Sequence, residues 1–126
     1  MKKGWIAVAL LVAMVALAGW HVSALNALTG ELSATLERAE ALAEKGDWAQ
    51  ALRLTQEAED HWASKRVYLH ITLDHAVTDQ ITADFAETLE LLECQEAGEY
   101  SAASARLKTQ LELLGEGEVP TLENLL

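Results

Sequence analysis

The sequence predicts an all-α protein in which an N-terminal transmembrane helix leads into an antiparallel helical bundle of three to four helices. Three observations predict it. From Gly4 to Gly30 there are 27 residues without Asp, Glu, Lys or Arg, preceded by Lys2 and Lys3. Apolar residues then recur at spacings of three and four along most of the remaining chain. Turn formers are scarce, with one proline and seven glycines in 126 residues, while an apolar content of 51% is ample for a packed core. A chain of this length holds one domain.

The charge-free stretch would span about 40 Å as a helix at about 1.5 Å per residue, enough to cross a hydrocarbon core of about 30 Å. Its most apolar part, Ile6 to Ala18, is flanked by Trp5 and Trp20, whose amphipathic rings suit the two headgroup zones. By the positive-inside rule Lys2 and Lys3 stay cytoplasmic and the chain after His21 is exported, with seven basic and 20 acidic residues outside. The competing reading is a cleaved signal peptide, with Ala16-Leu17-Ala18 as an A-x-A site before Gly19. The uncleaved anchor is favoured, because the uncharged segment continues through Val22, Leu25 and Leu28. In both readings residues 1–24 are the anchor or signal peptide and residues 25–126 an extracytoplasmic helical domain.

From Leu25 to Lys45, the positions Leu25, Leu28, Leu32, Leu36, Ala39 and Ala43 form one face of an amphipathic helix. This helix can be continuous with the membrane segment, since Gly30 alone interrupts it and one glycine costs about 1 kcal/mol. Gly46 stops it by supplying a left-handed position. Asp47 with Gln50 gives a capping-box pattern for the next helix, whose stripe is Trp48, Ala51, Thr55, Ala58 and Trp62. Between Asp47 and Ala97 there is neither Gly nor Pro, yet one helix of that length would run about 77 Å. The break falls between Lys65 and His75, where Val67, Leu69, Ile71 and Leu73 alternate with Tyr68, His70 and Thr72. Alternation is a strand signal, but a lone strand would leave its backbone unpaired, so the segment reads as helix of uncertain register or as an inter-helix turn.

Helical spacing returns with Ile81, Phe85, Leu89 and Leu92, and Gly98 is expected to end that helix. The last helix runs from about Glu99 to Leu114 with Ala103, Leu107, Leu111 and Leu114 inward; Gly115 and Gly117 are expected to break it. Gly46-Asp47-Trp48 with Ala51 is echoed 52 residues later by Gly98-Glu99-Tyr100 with Ala103, which implies two helical hairpins. The turn looks like that of tetratricopeptide repeats, but their period is about 34 residues, so a closed bundle is preferred to a solenoid.

A net charge of −11 argues against nucleic acid, whose phosphates require Lys and Arg. The single Cys94 closes no intrachain disulfide, and Glu90, Glu93 and Glu96 around it disfavour a thiolate. Glu57 with His61, Asp74 with His70, and Asp79 with His75 each stand four apart, sharing a face if the helix is regular. Di-metal bundles use Glu-x-x-His pairs instead, so no metal ligand, cofactor or catalytic residue is expected. His75 and Asp79 read as a polar pair at a helix interface. Leu122, Leu125 and Leu126, after Pro120, read as a cover for the bundle end or as a docking peptide.

Together these features resemble a family of short Firmicute proteins described as domain of unknown function 4363. The resemblance is carried by Lys2 and Lys3 with the apolar stretch, Gly46-Asp47-Trp48 with Ala51, Trp62, His75 followed by Asp79, Leu107, and the ending Thr121-Leu122-Glu123-Asn124-Leu125-Leu126. It implies a single-pass or exported helical protein without assigned activity, and a multi-spanning membrane protein as partner. The expected role is a structural or interaction module at the membrane and not an enzyme. The alternative is an extracytoplasmic ligand or metal sensor built on His75 and Asp79.

Overall fold

The computed structural model describes residues 2–72 and 75–117. They form five α-helices and no strand among the described residues: α1 (Lys2–Glu44), α2 (Trp48–Ser64), α3 (Arg66–Thr72), α4 (His75–Glu93) and α5 (Ala97–Gly117). α1 runs unbroken through Gly30, where an added β-carbon would meet nothing within 4 Å. The tolerated cost of one glycine is the reason the charge-free apolar segment and the first bundle helix are one element. Residues 2–20 are exposed throughout, whereas Leu25, Leu28, Leu32, Leu36, Ala39 and Ala43 are buried in the stripe that the sequence predicts.

The bundle has four long helices. α1 packs against α2 and α5, and α4 packs against the same two, so contacts close a ring α1–α2–α4–α5. One core cluster, nearest the exposed half of α1, joins Leu25, Leu28, Leu32 and Leu36 to Trp62, Ile81, Phe85, Leu107 and Leu111. A second, at the far end, is built of smaller residues, Ala39, Ala43 and Ala51, with Leu54, Leu92 and Tyr100. Trp62 is fully buried, tilts against Phe85, and donates its indole N–H to Thr82 Oγ1 at 3.0 Å, so the largest core side chain leaves no polar atom unpaired.

The two far-end turns share one device. At the first, Gly46 has φ +85°, its N–H donates to Ala43 O, and the Asp47 N–H donates to Leu42 O, each at 2.9 Å. These two bonds satisfy carbonyls that a helix end leaves orphaned. Asp47 then caps α2 by accepting from the Gln50 N–H at 3.2 Å, while the Gln50 side chain serves Arg53 instead of closing the box. The second turn repeats the bonds with different residues: Gln95 N–H to Leu92 O at 3.1 Å and Glu96 N–H to Leu91 O at 3.0 Å, with Gln95 at φ +55°.

This corrects the reading of Gly98, which does not end the preceding helix but sits in the first turn of α5. The echo of Gly46 is Gln95, three residues earlier; a non-glycine residue there hid the stop. Nor does Gly115 break α5, which runs on to Gly117, the last described residue. A β-carbon at Gly115 would lie 3.0 Å from Asn26 Oδ1 and 3.2 Å from Thr29 Oγ1 of α1, so its missing side chain lets the two helices approach.

The ambiguous segment is the short helix α3, separated from α2 by Lys65 alone. Tyr68 and Leu69 turn toward the core while Val67 and Ile71 point outward, a helical division that alternation of apolar residues had obscured. Leu73, Asp74 and the ending from Pro120 to Leu126 lie outside the described residues.

Candidate functional site

The predicted carboxylate–histidine pairs resolve differently from one another. Glu57 is taken by Arg53 at 3.0 Å, and His61 lies 3.8 Å from Glu31 on α1, so the pair within α2 is replaced by a contact between helices. His75 and Asp79 are both exposed on α4, which corrects the expectation of an interface pair. The pairing of His70 with Asp74 falls outside the described residues. No group of three His, Cys, Asp or Glu that could hold a metal ion occurs among the described residues. Cys94 is exposed in the turn after α4, with Glu90 Oε1 3.9 Å from its sulfur.

The polar residues that hydropathy spacing missed lie in the core. Asp84 is buried on α4, accepts from Gln80 Nε2 at 3.1 Å, and lies 4.0 Å from Arg106 of α5, which is engaged more closely by Glu87 at 3.0 Å. Lys108 of α5 reaches Glu40 of α1 at 2.8 Å. These ion pairs tie α5 to both its neighbours and orient it between them. Tyr100 stacks edge-on to Trp48 at 6.1 Å. Burial first, then the negative charge of Glu40, push its hydroxyl up to about 12, with Glu44 adding to the effect and the Ser104 hydroxyl opposing it. Neither the Tyr100 nor the Ser104 hydroxyl, both buried, has a well-formed hydrogen bond among the described residues.

An open concave surface lies at the other end, where α1 leaves its exposed apolar half. A groove of about 640 Å³ runs between α1 and α3, lined by Trp20, Ala24, Leu25 and Leu28 on one side and by Lys65, Val67, Tyr68 and Ile71 on the other. Tyr68 bridges its edge through a contact of its hydroxyl with His21 Nδ1, the rings 5.6 Å apart. Val67 and Ile71 are 75% and 78% exposed and Trp20 is 64% exposed, so an apolar rim remains uncovered beside the base of the bundle. Lys65 and Arg66 stand at that rim without an ion pair among the described residues.

Sequence reasoning placed Trp20 at a membrane boundary but gave α3 no role, because the register of Val67 and Ile71 was not readable from alternation. The first helix is long and apolar enough to cross a membrane, with none of its apolar window buried. No curated protein and no solved structure matches the chain. A family model matches residues 19–125, leaving Lys2, Lys3 and most of the apolar stretch outside the match while taking in all four bundle helices and α3. The chain therefore belongs to the family described as domain of unknown function (DUF4363).

Proposed function

We propose that the protein is a single-pass membrane protein whose helical bundle stands on the extracytoplasmic side and serves as a structural or interaction module, as accessory subunit of a multi-spanning membrane protein. The observation that carries this reading is α1 itself. Its apolar residues from Trp5 to Trp20 are all exposed, and the same helix continues as one of the four long helices of the bundle. A stretch of that length and hydropathy without protein cover is stable in hydrocarbon and not in water.

Two measurements test it. Intact mass after an alkaline wash of native membranes is expected to show the full-length chain in the membrane fraction; a product beginning at Gly19 in the medium would refute the anchor. Cys94, the sole thiol and exposed in the far-end turn, reports topology. A membrane-impermeant maleimide should label it in intact cells, and labelling only after lysis would reverse the orientation. Crosslinking in mild detergent should then capture a multi-spanning protein, and recovery of the chain alone would remove the accessory role.

A further inference from the structure

We propose that α3 is an interfacial helix: Val67 and Ile71 insert among lipids at the extracytoplasmic face of the membrane that α1 crosses, and Lys65 and Arg66 bind anionic headgroups there. The proposal rests on the membrane reading of α1 and adds an occupant for the groove beside it.

Length supplies the first argument. The fully exposed apolar part of α1, from Gly4 to Trp20, rises about 25 Å, short of a hydrocarbon core of about 30 Å. From His21 onward the helix is progressively covered, by Tyr68 at His21 and by the core at Leu25. A short span is met by local thinning of the bilayer and by flanking residues that snorkel, and both bring the flanking protein close to the headgroups. The flanking element is α3, whose outward residues include the apolar Val67 and Ile71 beside Arg66.

Continuity and charge supply the second. Trp20, Val67 and Ile71 line one groove together with Ser64 and Lys65, so the exposed surface of the span meets the apolar side chains of α3 there. Trp20 is the residue type that settles at headgroup level, which puts α3 at that depth. Lys65 and Arg66 are consecutive cations in a chain of net charge −11, unpaired among the described residues, on the edge of this apolar face. Long basic stems beside apolar side chains reach headgroups while the residues next to them stay in the acyl boundary. The rest of the domain, being acidic, is repelled by the same surface, so attraction is confined to this end.

The test uses the full chain with Cys94→Ser, reconstituted in vesicles of phosphatidylcholine and phosphatidylglycerol, and nitroxide labels at one of four introduced cysteines: Val12→Cys, Ala49→Cys, Val67→Cys or Ile71→Cys. All four positions are exposed, so the labels leave the core intact. Collision with oxygen, which concentrates in lipid, is compared with collision with a water-soluble nickel chelate. The expected ratio at 67 and 71 is severalfold above that at Ala49 and below that at Val12, and Lys65→Gln with Arg66→Gln lowers it. Values at 67 and 71 equal to that at Ala49, with Val12 still lipid-exposed, would overturn the proposal and leave the anchor standing. Water exposure at Val12 as well would overturn both. Labels at 67 and 71 that are immobile and shielded from both quenchers would mean that protein, not lipid, covers α3, and would also overturn it.

Discussion

Replacing Gly98 by alanine separates two placements of the second far-end turn by the sign of its effect. If Gly98 were the left-handed stop of α4, an L side chain there would cost about 1–2 kcal/mol. In the structure Gly98 lies in the first turn of α5, its φ is not left-handed, and a β-carbon would meet nothing within 4 Å. Alanine should therefore stabilise the bundle by about 0.5–1 kcal/mol, since it removes the entropy that glycine gives the unfolded chain. The complementary change is Gln95→Gly. The left-handed φ of +55° costs a glutamine about 1–2 kcal/mol, and glycine relieves it while returning about 0.5–1 through the unfolded state, for a net gain of about 0.5 kcal/mol or more. Urea unfolding of the full chain in mild detergent, followed by circular dichroism, should move the midpoint upward for both, by about 0.5 M for Gly98→Ala if the urea slope is about 1–2 kcal/mol/M. A lower midpoint for Gly98→Ala together with an unchanged one for Gln95→Gly would refute this turn geometry.

Tyr100→Phe removes a buried hydroxyl without a well-aligned partner and should be neutral or stabilising by about 1 kcal/mol at pH 7. Because the folded chain holds the Tyr100 proton to about pH 12 against 10.0 for the free side chain, the unfolded state ionises first, so wild-type stability should fall as pH rises from 10 to 12 and the phenylalanine variant should lose less; parallel decline of the two would refute the assignment. Gly115→Val drives a branched side chain into Thr29, which is buried, and Asn26, and overpacking should cost about 1–3 kcal/mol by denaturant titration. Leu36→Ala, at a site with no exposure, should cost about 2–5 kcal/mol, whereas Leu11→Ala should leave bundle unfolding unchanged.

Most of the bundle was legible because its helices obey hydropathy spacing: the α1 stripe and the α5 positions Ala103, Leu107, Leu111 and Leu114 are all buried as read. What was not legible has physical reasons. Glycine marks a left-handed stop in sequence and glutamine does not, so Gly98 drew the boundary that belongs to Gln95. Thr55, Thr88 and Thr78 enter the core without violating its polarity rules because each donates its hydroxyl to a backbone carbonyl of its own helix, at 2.9, 2.7 and 3.1 Å, a solution that counting apolar residues passes over. The candidate surface was the least legible part. His61 finds Glu31 across 30 residues, and Val67 reaches the groove opposite Trp20 only through the fold, so neither neighbourhood exists in sequence.

The same geometry bears on processing. The bundle core begins at Leu25, and the family match begins at Gly19, so a chain cut after Ala18 keeps every core side chain of α1 and should fold. It would differ from the anchored form in what faces Trp20, Val67 and Ile71. Anchored, these lie beside bilayer; released, they remain an apolar rim in water, and full burial of each aliphatic side chain is worth about 1.5–3 kcal/mol. A fragment of residues 19–126 should therefore unfold cooperatively, yet sediment with anionic vesicles or self-associate, and Val67→Ser with Ile71→Ser should make it monomeric and indifferent to lipid. A wild-type fragment that is already monomeric and stays in the supernatant would show that this rim is not an adhesive surface, and would remove the physical reason for placing α3 at the membrane.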